Sequence, residues 1–289
     1  MVVGPYGALL ESVRGVRWPA RRAVAGGAPG AHVARSRGVA TEFVEYRPYR
    51  QGDDPRRLDW KLLARSDRAF IRLAPNRAVL GTLLLVDASA SMDFPPRGVG
   101  SGSASKWRCA RALAVGCAAI AHAGADPVGV TVVGGGGVSR LAPRTRRGVV
   151  AEVARTLDAV TPEGRAALEQ GFAGAPARVL VVTDCLGDVG SLVNAARAHV
   201  VGGGEVFVAH VVSRGELEPS AGVQIVVDPE DATVRRPLSD ATRAVYRDAF
   251  DAWRQDTARS WRDAGVGYAE VRDDDPMDVA IRRIVARLT

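Results

Sequence analysis

The chain has 289 residues, 47% hydrophobic and 25% charged, a composition that supports a buried core and excludes a disordered or fibrous protein. Its formal net charge is +7, and residues 1–80 hold 15 of the 39 Arg and Lys but only 7 of the 32 Asp and Glu. A basic segment can meet nucleic acid, an anionic lipid surface or an acidic protein, but arginine is favoured along the whole chain, Lys61 and Lys106 being its lysines. A solvated, internally paired surface is therefore the expectation, and nucleic acid is not an expected partner.

Residues 1–36 read as a basic amino-terminal segment, with a Gly/Ala/Pro stretch at 25–31 that suits a flexible connection. The run Gly7 to Val16 has helical spacing but is broken by Glu11 and Arg14, so it lacks the continuous apolar core of a secretion signal. No stretch has the length of an uninterrupted apolar span, and the expected location is cytoplasmic. Residues 37–78 form a dense block of Arg, Asp and aromatic residues, taken up below. Cys109, Cys117 and Cys185 lack CxxC spacing and neighbouring His, so they are expected as small packing residues rather than zinc ligands.

From residue 79 onward, strands alternate with helices. Val79 to Val86 is an apolar run of the kind covered on both faces. Ser105 to Ala123 has helical spacing, Pro127 to Val133 is a second buried strand, and Val138 to Leu141 a brief edge strand. Arg147 to Val160 and Glu163 to Phe172 read as helices, Arg178 to Thr183 as a strand, and Val189 to Val200 as a helix. Val206 to Val212 and a shorter Val223 to Val227 follow as strands. Ser239 reads as the N-cap of a long helix ending near Ala264, stopped by Gly265 to Gly267. Tyr268 to Val271 is a last strand and Pro276 to Leu288 a last helix, with Asp273 to Asp275 expected to cap it. This order implies an α/β, Rossmann-like, doubly wound and mostly parallel sheet with helices on both faces, spanning residues 79–289. Sites in such sheets lie beyond the carboxyl ends of the strands.

There the first strand runs into Asp87-Ala88-Ser89-Ala90-Ser91-Met92. A carboxylate and two hydroxyls at i, i+2 and i+4 can converge on one point and suit a hard divalent cation such as Mg²⁺. A later strand also ends in an aspartate, Asp184, which a parallel sheet can bring alongside, directly or through water. The D-x-S-x-S pattern at a strand end resembles the metal-ion-dependent adhesion site of von Willebrand factor A domains. That resemblance implies a Mg²⁺ site at Asp87, Ser89, Ser91 and Asp184. It also implies a third element with a threonine, whose counterpart here, Glu163-Gly164-Arg165-Ala166-Ala167-Leu168, has no hydroxyl at that place; Thr145 and Thr161 are the nearest.

The block at 37–78 contains Glu42, Phe43, Arg47, Tyr49, Gly52, Asp53, Asp54, Arg57, Asp59, Trp60 and Arg65. These residues suit bidentate ion pairs and guanidinium stacking, either holding the segment to the main domain or meeting a partner. The block resembles the signature of the bacterial family called domain of unknown function 58, whose members carry a von Willebrand factor A-like domain after it. The resemblance extends to Tyr246 and to Gly265-Val266-Gly267-Tyr268, and covers about residues 35–289. It implies a protein-interaction role, as adaptor or partner of a MoxR-type AAA+ ATPase or of another von Willebrand factor A protein. With the metal site it further implies binding of an acidic partner residue through a divalent ion.

No GxSxG, HExxH, Walker or GxGxxG motif is present. His32, His122, His199 and His210 are scattered, His210 within a buried strand as a core residue. A metal-dependent hydrolase on Asp87 and Asp184 would need a general base and a shaped pocket. Neither is recognisable, and a non-enzymatic module is the expectation.

Overall fold

The computed structural model describes residues 4–20, 29–33, 45–49, 58–73, 77–95, 105–219, 225–231 and 233–286. The chain divides into two compact units, Met1–Arg21 with Gly81–Thr289, and Arg22–Leu80.

The larger unit is built on six strands: β1 (Thr82–Ala88), β2 (Val128–Gly134), β3 (Gly137–Arg144), β4 (Arg178–Thr183), β5 (Glu205–Val212) and β6 (Gly267–Arg272). Their order in the sheet is β6-β5-β4-β1-β2-β3. All pairings are parallel except β2 with β3, which is antiparallel. Successive β1 side chains alternate between two apolar clusters. Leu84, Val86 and Ala88 enter one, with residues of α1 (Gly7–Ser12), α2 (Lys106–Ala123), α3 (Val149–Asp158) and α6 (Met277–Ala286) packed on it. Leu83 and Leu85 enter the other, with α4 (Val189–Val201) and α5 (Asp240–Asp263). Two covered faces explain why β1 and β4 read as unbroken apolar runs. Ser105 and Ser239 cap α2 and α5, each side chain accepting a main-chain N–H of the first turn.

Four sequence expectations are corrected. The first strand runs from Thr82 to Ala88 rather than from Val79 to Val86: its pairing with both neighbours begins at Thr82, and Asp87 and Ala88 still pair with Val133 and Gly134 of β2. Residues 163–172 are not a helix. Gly164 has φ +56° and only Leu168–Phe172 forms a 3₁₀ turn. The polar main-chain groups of 163 and 164 are used elsewhere, bonding to Ala88, Ala90 and Gly135. Ile225–Val227 is no strand of the main sheet; it pairs antiparallel with Arg235–Pro237 in a separate exposed hairpin. Asp273 does not cap the last helix but accepts from the Ser213 hydroxyl and the Arg214 N–H after β5.

At the amino edge of the sheet, fully buried Arg178 opens β4. It pairs with Asp126 (3.6 Å) and Glu205 (3.4 Å), donates to the carbonyls of Trp18 and Pro19, and lies 4.7 Å from the Trp18 ring. One planar guanidinium thereby ties three strand starts to the amino-terminal segment.

In the smaller unit, Glu45–Pro48 pairs antiparallel with Phe70–Leu73, and Pro29–Val33 with Arg77–Ala78. Asp59 caps the helix Trp60–Ser66, its carboxylate accepting from Lys61 and Leu62 N–H. Arg47 lies opposite Ile71, the Tyr49 N–H bonds to Ala69 O, and Arg65 sits in the last turn of that helix. Trp60 is 65% exposed. Glu42, Phe43, Gly52, Asp53, Asp54 and Arg57 lie outside the described residues.

Arg178→Met leaves two buried carboxylates without this cation and should cost about 3–5 kcal/mol. Urea unfolding gives that loss, and hydrogen exchange of residues 4–20 should rise with it. An unchanged exchange rate there would show that Arg178 does not hold the segment.

Candidate functional site

The sheet reverses direction of winding between β1 and β4: the chain leaves β1 toward β2 and returns on its other side. Loops diverge at such a point and open a crevice at the carboxyl ends of the two strands. All four residues expected as metal ligands lie there. Asp87 is the penultimate residue of β1, Ser89 and Ser91 follow it, and Asp184 follows β4; each is at most 4% exposed.

They form one hydrogen-bonded network. Asp87 Oδ1 accepts the Ser89 N–H (2.9 Å) and Asp87 Oδ2 accepts the Thr183 hydroxyl (2.7 Å). The Ser89 and Ser91 hydroxyl oxygens are 3.0 Å apart. The Ser91 hydroxyl also bonds to Asp184, whose Oδ1 accepts the Leu186 N–H (3.1 Å). The third element arrives through main chain alone: Ala90 N–H donates to Gly164 O (2.9 Å) and Glu163 N–H to Ala88 O (3.0 Å). Thr145 and Thr161 are exposed.

Sequence reasoning missed three participants. Lys106, the first residue of α2, has no exposed surface and places Nζ 2.8 Å from Asp184 Oδ2 and 2.5 Å from Glu216 Oε1. Glu216 comes from a short helix after β5, Arg214–Leu217, and its other oxygen accepts the Ser213 N–H (2.8 Å). Thr183 completes the set from β4. Its position before Asp184 was a usable signal, as was the scarcity of lysine for Lys106; Glu216 gave none.

The electrostatics follow from burial. Asp87 is pushed up to about 6, by desolvation and by the charge of Asp184, against the hydrogen bonds from Thr183 and Ser89. Burial alone would raise Asp184 too, but the Lys106 ammonium, together with the hydrogen bonds from Ser91 and Leu186, outweighs it and holds that carboxyl below its ordinary value. Lys106 is held above its ordinary value: burial opposes its charge, and Asp184 and Glu216 prevail. For Glu216 the balance tips the other way, burial raising it despite the ammonium. Written as ions, the three carboxylates and one ammonium carry a net charge of −2.

A divalent ion fits this donor set. Its oxygens are hard, the charge it would bring offsets that of the cluster, and oxygens at right angles on Mg²⁺ lie about 3 Å apart, the separation of the two serine hydroxyls. No group of three or more His, Cys, Asp or Glu suited to a metal occurs among the described residues, so any such site depends on the serines.

The parallel sheet with one antiparallel edge, the helices on both faces and the aspartate–serine loop at the switch point define a von Willebrand factor A-like domain. The chain belongs to the family described as "Protein of unknown function DUF58", whose model matches residues 45–258. It is 28% identical to the uncharacterized protein Rv1480 of Mycobacterium tuberculosis, over 96% of this chain and 89% of that protein. Among solved structures it is similar to the conserved hypothetical protein BatB from Bacteroides thetaiotaomicron, with 18% identity, 72% of this chain and 98% of that one covered, and a TM-score of 0.47. It is also similar to the SpRpn10 VWA domain, with 11% identity, 70% and 94% covered, and a TM-score of 0.39. No helix among the described residues is long and apolar enough to cross a membrane.

His210, on β5, is buried with Nδ1 2.6 Å from the Tyr268 hydroxyl, and burial lowers its pKa to about 4. The folded state thus favours neutral His210, and the stability this gives is present above the unfolded value near 6.5 and lost as pH falls toward 4. The loss amounts to roughly 3 kcal/mol. Urea unfolding at pH 7 and pH 4 should show wild type losing more than His210→Gln by about that amount. Equal losses would remove His210 as the cause.

Proposed function

We propose that this chain is a non-enzymatic protein-interaction module whose working site is the carboxyl edge of the sheet at Asp87, Ser89, Ser91 and Asp184, acting with Mg²⁺. The observation that carries the reading is the meeting of these four residues in one buried network, with the two hydroxyls at the spacing of adjacent Mg²⁺ ligands. A bound Mg²⁺ would offer an open coordination position to an acidic side chain of a partner. The chain's own residues do the remaining work. Thr183 and the Ser89 N–H fix both oxygens of Asp87, while Leu186 and Lys106 fix those of Asp184. Both carboxylates are therefore oriented in advance, which lowers the entropy lost on binding.

Two contacts support the non-enzymatic reading: the Thr183 hydroxyl is spent on Asp87, and His210 Nδ1 is paired with the Tyr268 hydroxyl rather than with a nucleophile. The family resemblance points to a MoxR-type AAA+ ATPase as the partner. With the ATPase encoded in the same genome immobilised, binding of this chain should fall at least about tenfold, or 1.4 kcal/mol, in Asp87→Ala and in chelator. Salt should have the smaller effect, since few exposed charges are engaged. Binding that survives both treatments would replace the metal-bridged reading with a metal-free scaffold; binding that collapses with salt alone would favour the basic amino-terminal segment.

A further inference from the structure

We propose that Lys106 is a resident cation of the aspartate–serine site: its ammonium neutralises Asp184 in place of a metal, so the site closes metal-free and holds a divalent ion only weakly. The inference rests on the reading that this crevice is a cation site, and it adds how its affinity is set.

The placement of Lys106 is the first argument. Helical side chains lean toward the amino end of their helix. From the first position of α2 a four-carbon stem therefore reaches back past the helix end, between Asp184 after β4 and Glu216 after β5. The second argument is cost. Full burial disfavours the charged ammonium, and so does the positive end of a helix dipole. The two carboxylates, at 2.8 and 2.5 Å, oppose these terms, with a smaller contribution from the Phe94 ring, whose centroid is 5.8 Å from the ammonium. A cation in so adverse a position is there for its charge rather than its bulk.

Residue type is the third argument. This chain uses arginine almost everywhere and has two lysines among 39 basic residues. An ammonium is a compact point charge, closer to a metal ion than the wide planar guanidinium. At Arg178, where carbonyls and carboxylates surround one cation, the chain uses the guanidinium instead. Charge is the fourth. The ammonium shares Asp184 with any ion held by Asp87, Ser89 and Ser91, and two cations around one carboxylate repel in a site with little water to screen them. Resident and incoming cation therefore compete.

The test uses the full chain, with Mg²⁺ itself as the probe, by calorimetry and by thermal unfolding in chelator and in excess Mg²⁺. Lys106→Met keeps the stem and removes the charge. It should unfold at lower temperature than wild type in chelator, recover with Mg²⁺, and bind Mg²⁺ at least about tenfold more tightly. Adding Asp87→Ala to it should abolish the gained binding. Glu216→Gln keeps the ammonium and removes a negative charge, and should bind no more tightly than wild type. Mg²⁺ binding by wild type with no gain in Lys106→Met leaves the site reading standing and overturns the resident cation. Absence of binding in both proteins overturns both. Should Lys106→Met stay unfolded at every Mg²⁺ concentration, metal cannot substitute for the ammonium, and Lys106 is a structural brace.

Discussion

The repulsion between Asp87 and Asp184, held almost without solvent at the carboxyl ends of adjacent strands, is the constraint to which the surrounding loops answer. The backbone leaves no choice in bringing them together. β1 and β4 are hydrogen-bonded neighbours in parallel register, so residues just beyond their ends share one crevice. Two buried carboxylates at such a place need hydrogen bonds and positive charge, or they take up protons. The loops supply both. N–H groups of Ser89 and Leu186 and the Thr183 hydroxyl serve the hydrogen bonds, and Lys106 serves the charge. The supply is uneven. Asp184 receives a full ammonium and stays acidic; Asp87 receives only dipoles and rises to about 6. The unevenness distinguishes the Asp87 half of the site, held by hydrogen bonds, from the Asp184 half, held by an ammonium.

Strand β4 runs between two buried ion clusters of different character. At its start, Arg178 meets two carboxylates and two main-chain carbonyls, with an indole against its face. These contacts join β4 to β5, to Asp126 just before β2 and to the amino-terminal segment. That is the chemistry of a staple. At the other end the oxygens include the two serine hydroxyls as well as carboxylates, and cations are bound by such mixed oxygen sets. Both clusters are equally inaccessible, so burial does not separate structure from function in this molecule. The identity of the donors does.

Much of this was legible in the residues. Apolar runs at 79–86, 127–133, 178–183 and 206–212 announced covered strands, and their alternation with helices announced the parallel sheet. Asp87, Ser89, Ser91 and Asp184 could be named because they sit at strand ends, where topology alone fixes their neighbours. Lys106 and Glu216 could not. Each reaches the site from an element whose orientation is a tertiary matter, and Glu216 lies more than a hundred residues from the ammonium it meets. The error at 163–172 has the same origin. Its composition suits a helix, but the main chain of Glu163 and Gly164 is claimed by Ala88, Ala90 and Gly135. Local propensity yields when tertiary hydrogen bonds compete for the same groups.

That claimed main chain also brings the third element against the end of β1 through backbone rather than side chain. Gly164 has φ +56°, and a Cβ there would lie 2.8 Å from the Gly135 Cα; a Cβ on Gly135 would in turn meet Gly164 Cα and Glu163 O at 2.7 Å. Two glycines are pressed together where the loop after α3 bonds both to the end of β1 and to the Gly135 N–H just after β2. A side chain on Gly164 cannot be added without parting them. The packing of backbone on backbone keeps side chains off these two glycines, while Arg165, at the place where the resemblance implies a threonine, turns its side chain outward, 76% exposed and 3.3 Å from Glu230. On the opposite side, Thr183 approaches Asp87 from β4 and is spent on that carboxylate. The Ser89 and Ser91 hydroxyls remain beside Asp87, and the Lys106 ammonium stands at Asp184; on the proposed reading it is this ammonium that weakens the hold on a divalent cation.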